Sequence, residues 1–490
     1  MAPRNQTWLF HSFVFFLFYI VTDLSSATDT IYAGQSLTSK QTLISKGGTF
    51  ELGFFTPGDS RKYYLGIWYK KVSVLQKTYV WVANREDPLH YESSFELKLS
   101  KDGNLALFNE SRRAVWSTNT TTDAMDSSQA VLGDDGNFIL RYGVTHFNVY
   151  WQSFDYPSET FLPGARMRYD KIAQKPQSLT SWKNANDPTP GLFSVDMDAI
   201  GDQFVLKWNR SETYWSSGPW NGKIFRDIPM MKLGYIFNYS YVKNVNESYF
   251  TYRLYNSSII CRYVLDVSGQ IKQFSWDAKK KQWFLFWDVP IQQCEVFGFC
   301  GAYGVCDQNV LPFCKCMKGF RPRNQKEWDM SDFASSGCVR KSPLQCGAKD
   351  AFRTISNVNL PGKPEPFAAS NLDQCKLACS KNCSCNAYAY RSLCLIWSGD
   401  LFSVQQFSGA YEGGGDLFLK LAAVDIEDTP AMNNTVLGSD ISKGRNRGLK
   451  TWVIVGAVTG LVLLGLALIC LQLKKRIRLS KKGKVFDHIL

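Results

Sequence analysis

Short stretches in which apolar and polar residues alternate dominate the first part of the chain and predict β-strands. Residues 97–107 (LKLSKDGNLAL) and 130–140 (AVLGDDGNFIL) match each other 33 residues apart, and each carries an Asp-Gly turn typical of a hairpin. A weaker third copy is predicted at residues 45–52 (SKGGTFEL). Three related hairpins favour a pseudo-threefold β-prism over an open sheet.

The alternating pattern continues beyond this repeat. Dense aromatic residues and few cysteines mark residues 151–289, where LKWNRSETYW and FTYRLYN read as strands with one solvated face. Helical spacing occurs further along, where Cys375 and Cys379 lie four residues apart and would share one face of a helix. The pattern therefore predicts a mostly β multidomain protein with a small α+β domain after it.

Two longer apolar runs lie near the ends of the chain. Residues 451–473 contain no charged residue over 23 positions, and a helix of that length would cross a bilayer core of about 30 Å. Residues 13–21 (FVFFLFYIV) and the small residues that follow predict a secretory signal peptide at residues 1–27 rather than a signal anchor. We therefore expect a single-pass type I protein of the plasma membrane, with its N-terminal side extracellular.

The net charge of +13 does not indicate nucleic-acid binding. Residues 474–490 carry seven Lys or Arg against one Asp, and such a basic tail after a span is a positive-inside signal that also meets anionic lipid. Polar residues 425–450 read as a flexible stalk before the span. Gly456 and Gly460 form a GxxxG pair in the span, so we expect this face to support dimerisation.

Cysteine and asparagine usage agrees with export. Twelve of the 14 cysteines lie between Cys294 and Cys394, which predicts disulfides and argues against zinc sites. Cys261 stands apart as either a buried thiol or an interchain bridge, and we favour the buried thiol because ICRYVLDV reads as a strand. We also expect a glycoprotein, because eight acceptor triplets lie between the signal peptide and the span. They begin at Asn109, Asn119, Asn209, Asn238, Asn246, Asn256, Asn382 and Asn433.

The repeat, together with FELGFF, WVANRE and the DGN turns, resembles the bulb-type mannose-binding lectin domain of plants over residues 28–150. That family reads sugar hydroxyls with Gln, Asp, Asn and Tyr spaced two apart, which places them on one face of a strand. The Asp and Asn positions are kept here as Asp102, Asn104, Asp135 and Asn137. The Gln positions hold Ser100 and Gly133, the Tyr positions hold Phe108 and Arg141, and the weakest copy has Ser45, Gly47, Thr49 and Gly53. Mannose binding therefore stays an alternative, and we favour a structural or protein-binding role.

Three further blocks resemble known modules. WQSFDYPSETFLPG, LTSWKNANDPTPGLFS and YWSSGPWNGKIF resemble the S-locus glycoprotein domain of plant S-domain receptor-like proteins, at residues 151–289. GFCGAYGVC and CKCMKGFRP resemble an epidermal-growth-factor-like module at residues 290–340, without the acidic residues that calcium-binding members place before the first cysteine. DQCKLACSKNCSCNAYAY and CLIWSGDL resemble the PAN/apple domain, at residues 341–424.

These resemblances imply a pairing of the cysteines. The growth-factor-like pattern implies Cys294–Cys306, Cys300–Cys314 and Cys316–Cys338. The PAN pattern implies Cys375–Cys394 and Cys379–Cys385, which leaves Cys346 and Cys383, whose pairing stays open.

The order of these modules resembles the extracellular half of plant S-domain receptor-like serine/threonine kinases. The chain carries no Gly-rich phosphate loop, no His-Arg-Asp and no Asp-Phe-Gly, so we expect no kinase activity and no cofactor. Our leading hypothesis is a cell-surface receptor that binds a peptide or protein ligand, of the pollen-recognition or defence type. It would act as a co-receptor or decoy, as a homodimer or with a kinase-bearing receptor. The alternatives are a sugar-binding wall-adhesion protein and a truncated product of a kinase gene.

Overall fold

The computed structural model describes residues 28–426, except residues 59, 73–76, 91–94, 121–126, 144–147, 199, 233, 331, 347–349 and 408–412. The predicted signal peptide, the end of the stalk, the span, the tail, Asn433, Gly456 and Gly460 lie outside the described residues. None of the helices in the described part of the chain has the length and apolar composition of a membrane span.

The first domain is a prism of three antiparallel sheets. Each sheet has four strands, and their inward faces share one apolar core. The strands are β1 (Thr30–Tyr32), β2 (Ser36–Thr38), β3 (Leu43–Ile44), β4 (Phe50–Phe55), β5 (Tyr64–Tyr69), β6 (Tyr79–Val82), β7 (Glu96–Leu99), β8 (Leu105–Phe108), β9 (Ala114–Ser117), β10 (Gln129–Leu132), β11 (Phe138–Tyr142) and β12 (Asn148–Gln152). The sheet orders are β3-β4-β5-β6, β2-β7-β8-β9 and β1-β10-β11-β12.

The sheet orders correct the register predicted for the third copy. The two strong copies are the hairpins β7-β8 and β10-β11, each in the middle of its sheet. Residues 45–52 instead contain the turn after the edge strand β3 and the first half of β4, so the equivalent hairpin in the remaining sheet is β4-β5. The prediction was wrong because Gly-Gly in residues 45–52 resembles the Asp-Gly turn, whereas the turn between β4 and β5 contains no Asp-Gly.

Three tryptophans spaced 35 residues apart pack against one another in this prism. Trp81, Trp116 and Trp151 come from the last strand of each sheet. Their ring centroids lie 5.7–6.1 Å apart, with interplanar angles of 70–77°. Edge-to-face packing of this kind suits the charge distribution of aromatic rings. Because Trp151 belongs to this core, the first prism extends past the predicted boundary at residue 150.

The next domain repeats the architecture as a second prism of three four-stranded sheets. Its strands are β13 (Thr160–Phe161), β14 (Met167–Asp170), β15 (Lys175–Pro176), β16 (Ser178–Asn184), β17 (Asp187–Asp198), β18 (Gln203–Trp208), β19 (Glu212–Ser216), β20 (Phe237–Lys243), β21 (Glu247–Leu254), β22 (Cys261–Leu265), β23 (Ile271–Asp277) and β24 (Gln282–Val289). The sheet orders are β13-β22-β23-β24, β15-β14-β21-β20 and β16-β17-β18-β19. In both prisms one sheet joins the first strand to the last three and another contains four consecutive strands, whereas the remaining sheet differs in its strand connections.

The growth-factor-like module and the PAN domain share one sheet of eight strands. Their elements are β25 (Gly304–Cys306), β26 (Cys314–Cys316), β27 (Phe320–Pro322), α1 (Gln325–Asp329), α2 (Phe333–Ser336), β28 (Cys338–Arg340), β29 (Asp350–Asn359), β30 (Glu365–Phe367), α3 (Leu372–Lys381), β31 (Ala387–Tyr390), β32 (Cys394–Trp397), β33 (Val404–Gln406) and β34 (Gly415–Ala422). The sheet order is β26-β25-β33-β29-β34-β31-β32-β30, and β25 pairs in parallel with β33 across the module boundary. The mostly β fold with few helices, predicted from the sequence, is confirmed for the described residues.

Hydrogen bonds hold the two prisms together. The guanidinium of Arg85 is buried and donates to the carbonyl oxygens of Thr180, Ser181 and Pro188, at 2.6–3.0 Å. The indole of Trp81 donates to the carbonyl oxygen of Tyr156 at 2.8 Å. Each of these bonds satisfies a backbone carbonyl that burial between the prisms would otherwise leave without a partner.

Candidate binding cleft between the two prisms

The Asp-Gly-Asn turns of the first prism use their polar side chains internally. Asp102 accepts a hydrogen bond from the backbone N–H of Asn104 at 3.0 Å. The side-chain oxygen of Asn104 in turn accepts from the hydroxyls of Ser117 and Thr118, at 2.9 and 3.0 Å. In this copy the pair predicted to face a sugar therefore ties β8 to the end of β9.

The second copy has the same arrangement with a more buried asparagine. Asp135 accepts from the N–H of Asn137 at 3.0 Å. Asn137 donates to Gln152 at 2.8 Å, and its oxygen accepts from Ser153 Oγ and the N–H of Phe154, both at 3.2 Å. The amide of Asn137 thus has donors and acceptors within the fold, and it fastens β11 to the segment that leaves the prism.

The cysteines between residues 294 and 394 form six disulfides. The pairs are Cys294–Cys306, Cys300–Cys314, Cys316–Cys338, Cys346–Cys383, Cys375–Cys394 and Cys379–Cys385. The Cys300, Cys306 and Cys314 sulfurs lie within 4.8 Å of one another, but as disulfide sulfurs they are not thiolate ligands for a metal. Cys261, at the start of β22, is unpaired and buried.

The seven acceptor asparagines in the described part of the chain lie at the surface. Asn109 is half-buried, and the others are exposed: Asn119, Asn209, Asn238, Asn246, Asn256 and Asn382. Four of them lie on the second prism, in or beside the turns and strands from residue 209 to residue 256.

An open cleft of about 1090 Å³ lies between the two prisms. Tyr79 of β6 lines it from the first prism, and Trp182 of β16 and Trp283 of β24 line it from the second. The Tyr79 ring stacks on Phe55 at 3.9 Å, and the indole of Trp283 donates to Thr78 Oγ1 at 3.0 Å. These contacts hold the rings in place, so the aromatic walls are formed before any ligand arrives.

Two carboxylates line this cleft, and both have partners. Glu159 is buried, and it accepts hydrogen bonds from Trp182 Nε1 at 2.7 Å and from Thr160 Oγ1 at 3.0 Å. Asp266 forms an ion pair with Lys272. Lys272 offsets the charge of Asp266, whereas the donors to Glu159 are neutral and leave its negative charge in place.

Arg262 supplies a cation in the wall. Its guanidinium lies over the Trp283 ring at 4.9 Å, and its Nη1 donates to the carbonyl oxygen of Tyr79 at 3.2 Å. Its buried Nε has no hydrogen-bond partner, and the side chain forms no ion pair, within the part of the chain that the structure describes. Burial lowers the pKa of Arg262, while Glu159 and Asp266 act in the opposite direction. An arginine keeps its charge in spite of such a shift, so this wall remains cationic.

A second open cleft, of about 680 Å³, lies in the second prism and differs in its charge balance. Lys207 pairs with the buried carboxylate of Asp196 at 3.0 Å. Arg168 lies 3.9 Å from Glu247. The other two basic residues of its lining, Lys175 and Arg210, form no ion pair among the described residues, but the lining contains no tryptophan and only one aromatic residue, Tyr156.

The residues of the cleft between the prisms were not singled out by sequence reasoning. Trp182 lies in a block that carried the resemblance to the S-locus glycoprotein domain, and Arg262 follows the isolated Cys261. Their approach to Tyr79 depends on how the two prisms pack, which no spacing along the chain encodes. The tryptophan repeat of the first prism, by contrast, was readable from its constant interval.

Comparison with known proteins places this geometry in a family. The chain matches the family models for the D-mannose binding lectin at residues 78–183, the S-locus glycoprotein domain at residues 215–324 and the PAN-like domain at residues 346–404. An S-locus-specific glycoprotein of Brassica oleracea is 36% identical over 440 residues, which cover 85% of this chain and 97% of that protein. The chain belongs to the S-locus glycoprotein and S-receptor-like kinase family. The resemblance read from the sequence is thereby confirmed.

Other members of the S-locus glycoprotein and S-receptor-like kinase family are longer. A G-type lectin S-receptor-like serine/threonine-protein kinase of Arabidopsis thaliana is 44% identical over 460 residues, which cover 92% of this chain and 53% of the kinase. The chain thus spans about half the length of the kinases it matches. Among solved structures, a monomeric mannose-binding lectin of Gastrodia elata aligns with 26% of this chain and 96% of its own, at 23% identity and a TM-score of 0.20.

Proposed function

We propose that this chain forms a single-pass cell-surface receptor-like glycoprotein, and that its extracellular part binds a peptide or protein ligand. The observation that carries the proposal is the preformed aromatic cleft between the prisms. The cleft is open and its volume of about 1090 Å³ lies at the upper end of the range of small-molecule sites, roughly 300–1,000 Å³, so it has room for several residues of a peptide. The receptor role is supported by relatives that are named S-receptor-like kinases.

Mannose recognition is the weaker alternative. The lectin pattern keeps two asparagines, Asn104 and Asn137. Their side-chain oxygens accept hydrogen bonds from neighbouring hydroxyl and N–H groups. A sugar would have to displace those bonds, each with a net value of about 1 kcal/mol. We therefore assign these turns a structural role.

Binding to the full chain tests the proposal. We expect saturable binding of peptides from extracellular fluid, abolished when the fluid is treated with protease, and no retention of mannose oligosaccharides on a glycan array. Trp182→Ala should weaken peptide binding about tenfold, because buried aromatic anchors dominate interfaces. Tyr235→Ala, which removes an exposed ring outside the cleft, should have no effect.

Mannose binding without any peptide binding would contradict the proposal. The co-receptor or decoy role, the pairing with a kinase-bearing receptor and the dimer contact at Gly456 and Gly460 stay predictions. Co-purification of the full chain with a receptor kinase tests the pairing, and loss of that association in a Gly456→Leu/Gly460→Leu variant tests the contact.

A further inference from the structure

We propose that the cleft between the prisms selects an acidic peptide, whose carboxylates bind Arg262 and Lys281 while an apolar side chain packs against Trp182. This inference rests on the proposed function and names the chemistry of its ligand. It adds a charge requirement that an aromatic cleft alone would not impose.

The first step compares the cationic and anionic side chains of the cleft and the partners that each already has. Glu159 and Asp266 already have partners in Trp182, Thr160 and Lys272. Arg262 lacks a carboxylate partner among the described residues, and the exposed Lys281 likewise forms no ion pair there. The described lining carries three cations, Lys77, Arg262 and Lys281, against two carboxylates, Glu159 and Asp266, and Lys272 pairs with Asp266. The net charge of the cleft is therefore positive, and complementary charge steers and selects binding partners.

The second step is the energetic cost of burying the Arg262 guanidinium when no anion is bound to it. Glu159 and Asp266 attract the Arg262 guanidinium from a distance, but neither forms an ion pair with it, so the cost of removing this cation from water is only partly offset. Stacking on Trp283 and the bond to the Tyr79 carbonyl offset part of that cost. A ligand carboxylate would offset more, because guanidinium and carboxylate form short, strong, charge-assisted hydrogen bonds.

The third step is preorganisation. The guanidinium is held between an aromatic ring and a backbone carbonyl, so little side-chain freedom is lost when an anion binds. Lys281 lies in the turn between β23 and β24, exposed at the mouth of the same cleft. It adds long-range attraction that salt would screen.

The test uses the full chain and three bead-displayed libraries of random dodecamers, with net negative, neutral and net positive charge. We expect the acidic library to yield binders at least tenfold more often than the basic one. Equal yields, or yields from the basic library alone, would overturn the inference and leave the peptide-binding function standing. No binder from any library would contradict both.

Variants locate the contact for one selected acidic dodecamer. We expect Arg262→Gln to weaken its binding about tenfold and Lys281→Gln about threefold, with a shallower dependence on salt. Lys376→Gln removes an exposed lysine from α3, outside the cleft, and should change binding by less than about twofold.

Arg262→Gln could disturb folding, so Lys281, which is exposed, provides the independent readout. If the Lys281 and Lys376 variants behave alike and Arg262→Gln folds with unchanged affinity, the cleft is not the site of charge recognition.

Discussion

Arg85 shows how much one side chain contributes to the joint between the prisms. It comes from the loop after β6, yet it donates to three carbonyl oxygens of β16 and β17 in the other domain. Burial lowers the pKa of Arg85, and Glu159 opposes that shift. The residue can stay buried and charged because its donors meet acceptors on the partner domain.

Replacing Arg85 should therefore loosen the joint. We expect Arg85→Ala to lower the free energy of unfolding by about 3 kcal/mol, because hydrogen bonds to a charged group are lost and three carbonyls become unsatisfied. Urea unfolding followed by tryptophan fluorescence measures the change. Arg113→Ala is the control, since Arg113 pairs with Asp87 at the surface at 2.7 Å and should contribute less than about 1 kcal/mol. Equal losses in the two variants would contradict the role of Arg85.

Cys261 is the second residue whose surroundings decide its chemistry. Burial raises the pKa of its thiol from 9.0 to about 12. Below pH 9 the thiol is protonated in both the folded and the unfolded chain. As pH rises from 9 towards 12 the unfolded chain ionises first, so the contribution of this residue to stability is lost over that window.

We predict that Cys261 does not react with a thiol reagent in the folded protein. In a Cys470→Ser variant, which leaves Cys261 as the one cysteine outside the six disulfides, Ellman's reagent should release no colour at pH 8 until denaturant is added. The double variant Cys470→Ser/Cys261→Ser should stay silent in denaturant. Rapid reaction of the folded protein at pH 8 would show that the thiol is accessible.

At the scale of elements, helix α3 ends in a tightly held segment. The fully buried Lys420 lies with its Nζ 3.2 Å from the carbonyl oxygen of Asn382 and 3.4 Å from that of Cys379. A cation at a helix C-terminus satisfies unpaired carbonyls and complements the helix dipole. Asn382 is also an acceptor asparagine, and the next residue, Cys383, is bridged to Cys346.

This arrangement predicts that a glycan is attached to Asn382 before the neighbouring disulfides close, and rarely afterwards. Its backbone bonds to Ala378, Lys420 and Cys385 leave it little freedom to enter a transferase once the bridges have closed. We expect lower glycan occupancy at Asn382 than at Asn256, and a rise at Asn382 in a Cys346→Ala/Cys383→Ala variant.

Mass spectrometry of glycopeptides measures both occupancies, and Asn256 provides the internal control. Equal occupancy at Asn382 with and without the bridge would contradict this order.

Element by element, the sequence predicted what is local. The hairpins β7-β8 and β10-β11 and helix α3 form where turn residues and spacing placed them. The hairpin β4-β5 was missed because its turn contains no Asp-Gly, although its strands occupy the same middle positions in their sheet as the strands of the other two hairpins. The pairing of β25 with β33 and the cleft beside Arg262 depend on packing between distant segments, which local patterns do not carry.

At the scale of the molecule, one aromatic cluster joins three domains. Trp208 of the second prism packs against Phe297 at 5.4 Å and against Phe402 at 5.1 Å. Phe297 lies in the growth-factor-like module, and Phe402 lies in the segment between β32 and β33 of the PAN domain. Gly298, at φ +64°, lies against the Trp208 ring, so that a Cβ at this position would come within 2.9 Å of Nε1.

Adding a Cβ at Gly298 should weaken the packing of Trp208 against the two later modules. We expect Gly298→Ala to lower the free energy of unfolding by about 2 kcal/mol, through backbone strain and a clash with Trp208. It should also speed proteolysis between the second prism and the module. Gly48→Ala is matched in φ, at +68°, but has no atom within 4 Å of the added Cβ, so it reports the strain alone. Equal effects in melting and proteolysis would show that the Trp208 contact contributes nothing.

The six disulfides have a one-sided distribution along the chain. They begin at Cys294, and the two prisms before that residue contain a single cysteine, Cys261, which is unpaired. The prisms are stabilised by apolar cores and interdomain hydrogen bonds, whereas in the later modules six disulfides add covalent links to a smaller apolar core. A mild reductant should therefore unfold the modules that follow Cys294 and leave the two prisms folded. Redox conditions would thus govern the folding of the last modules and leave the cleft between the prisms untouched.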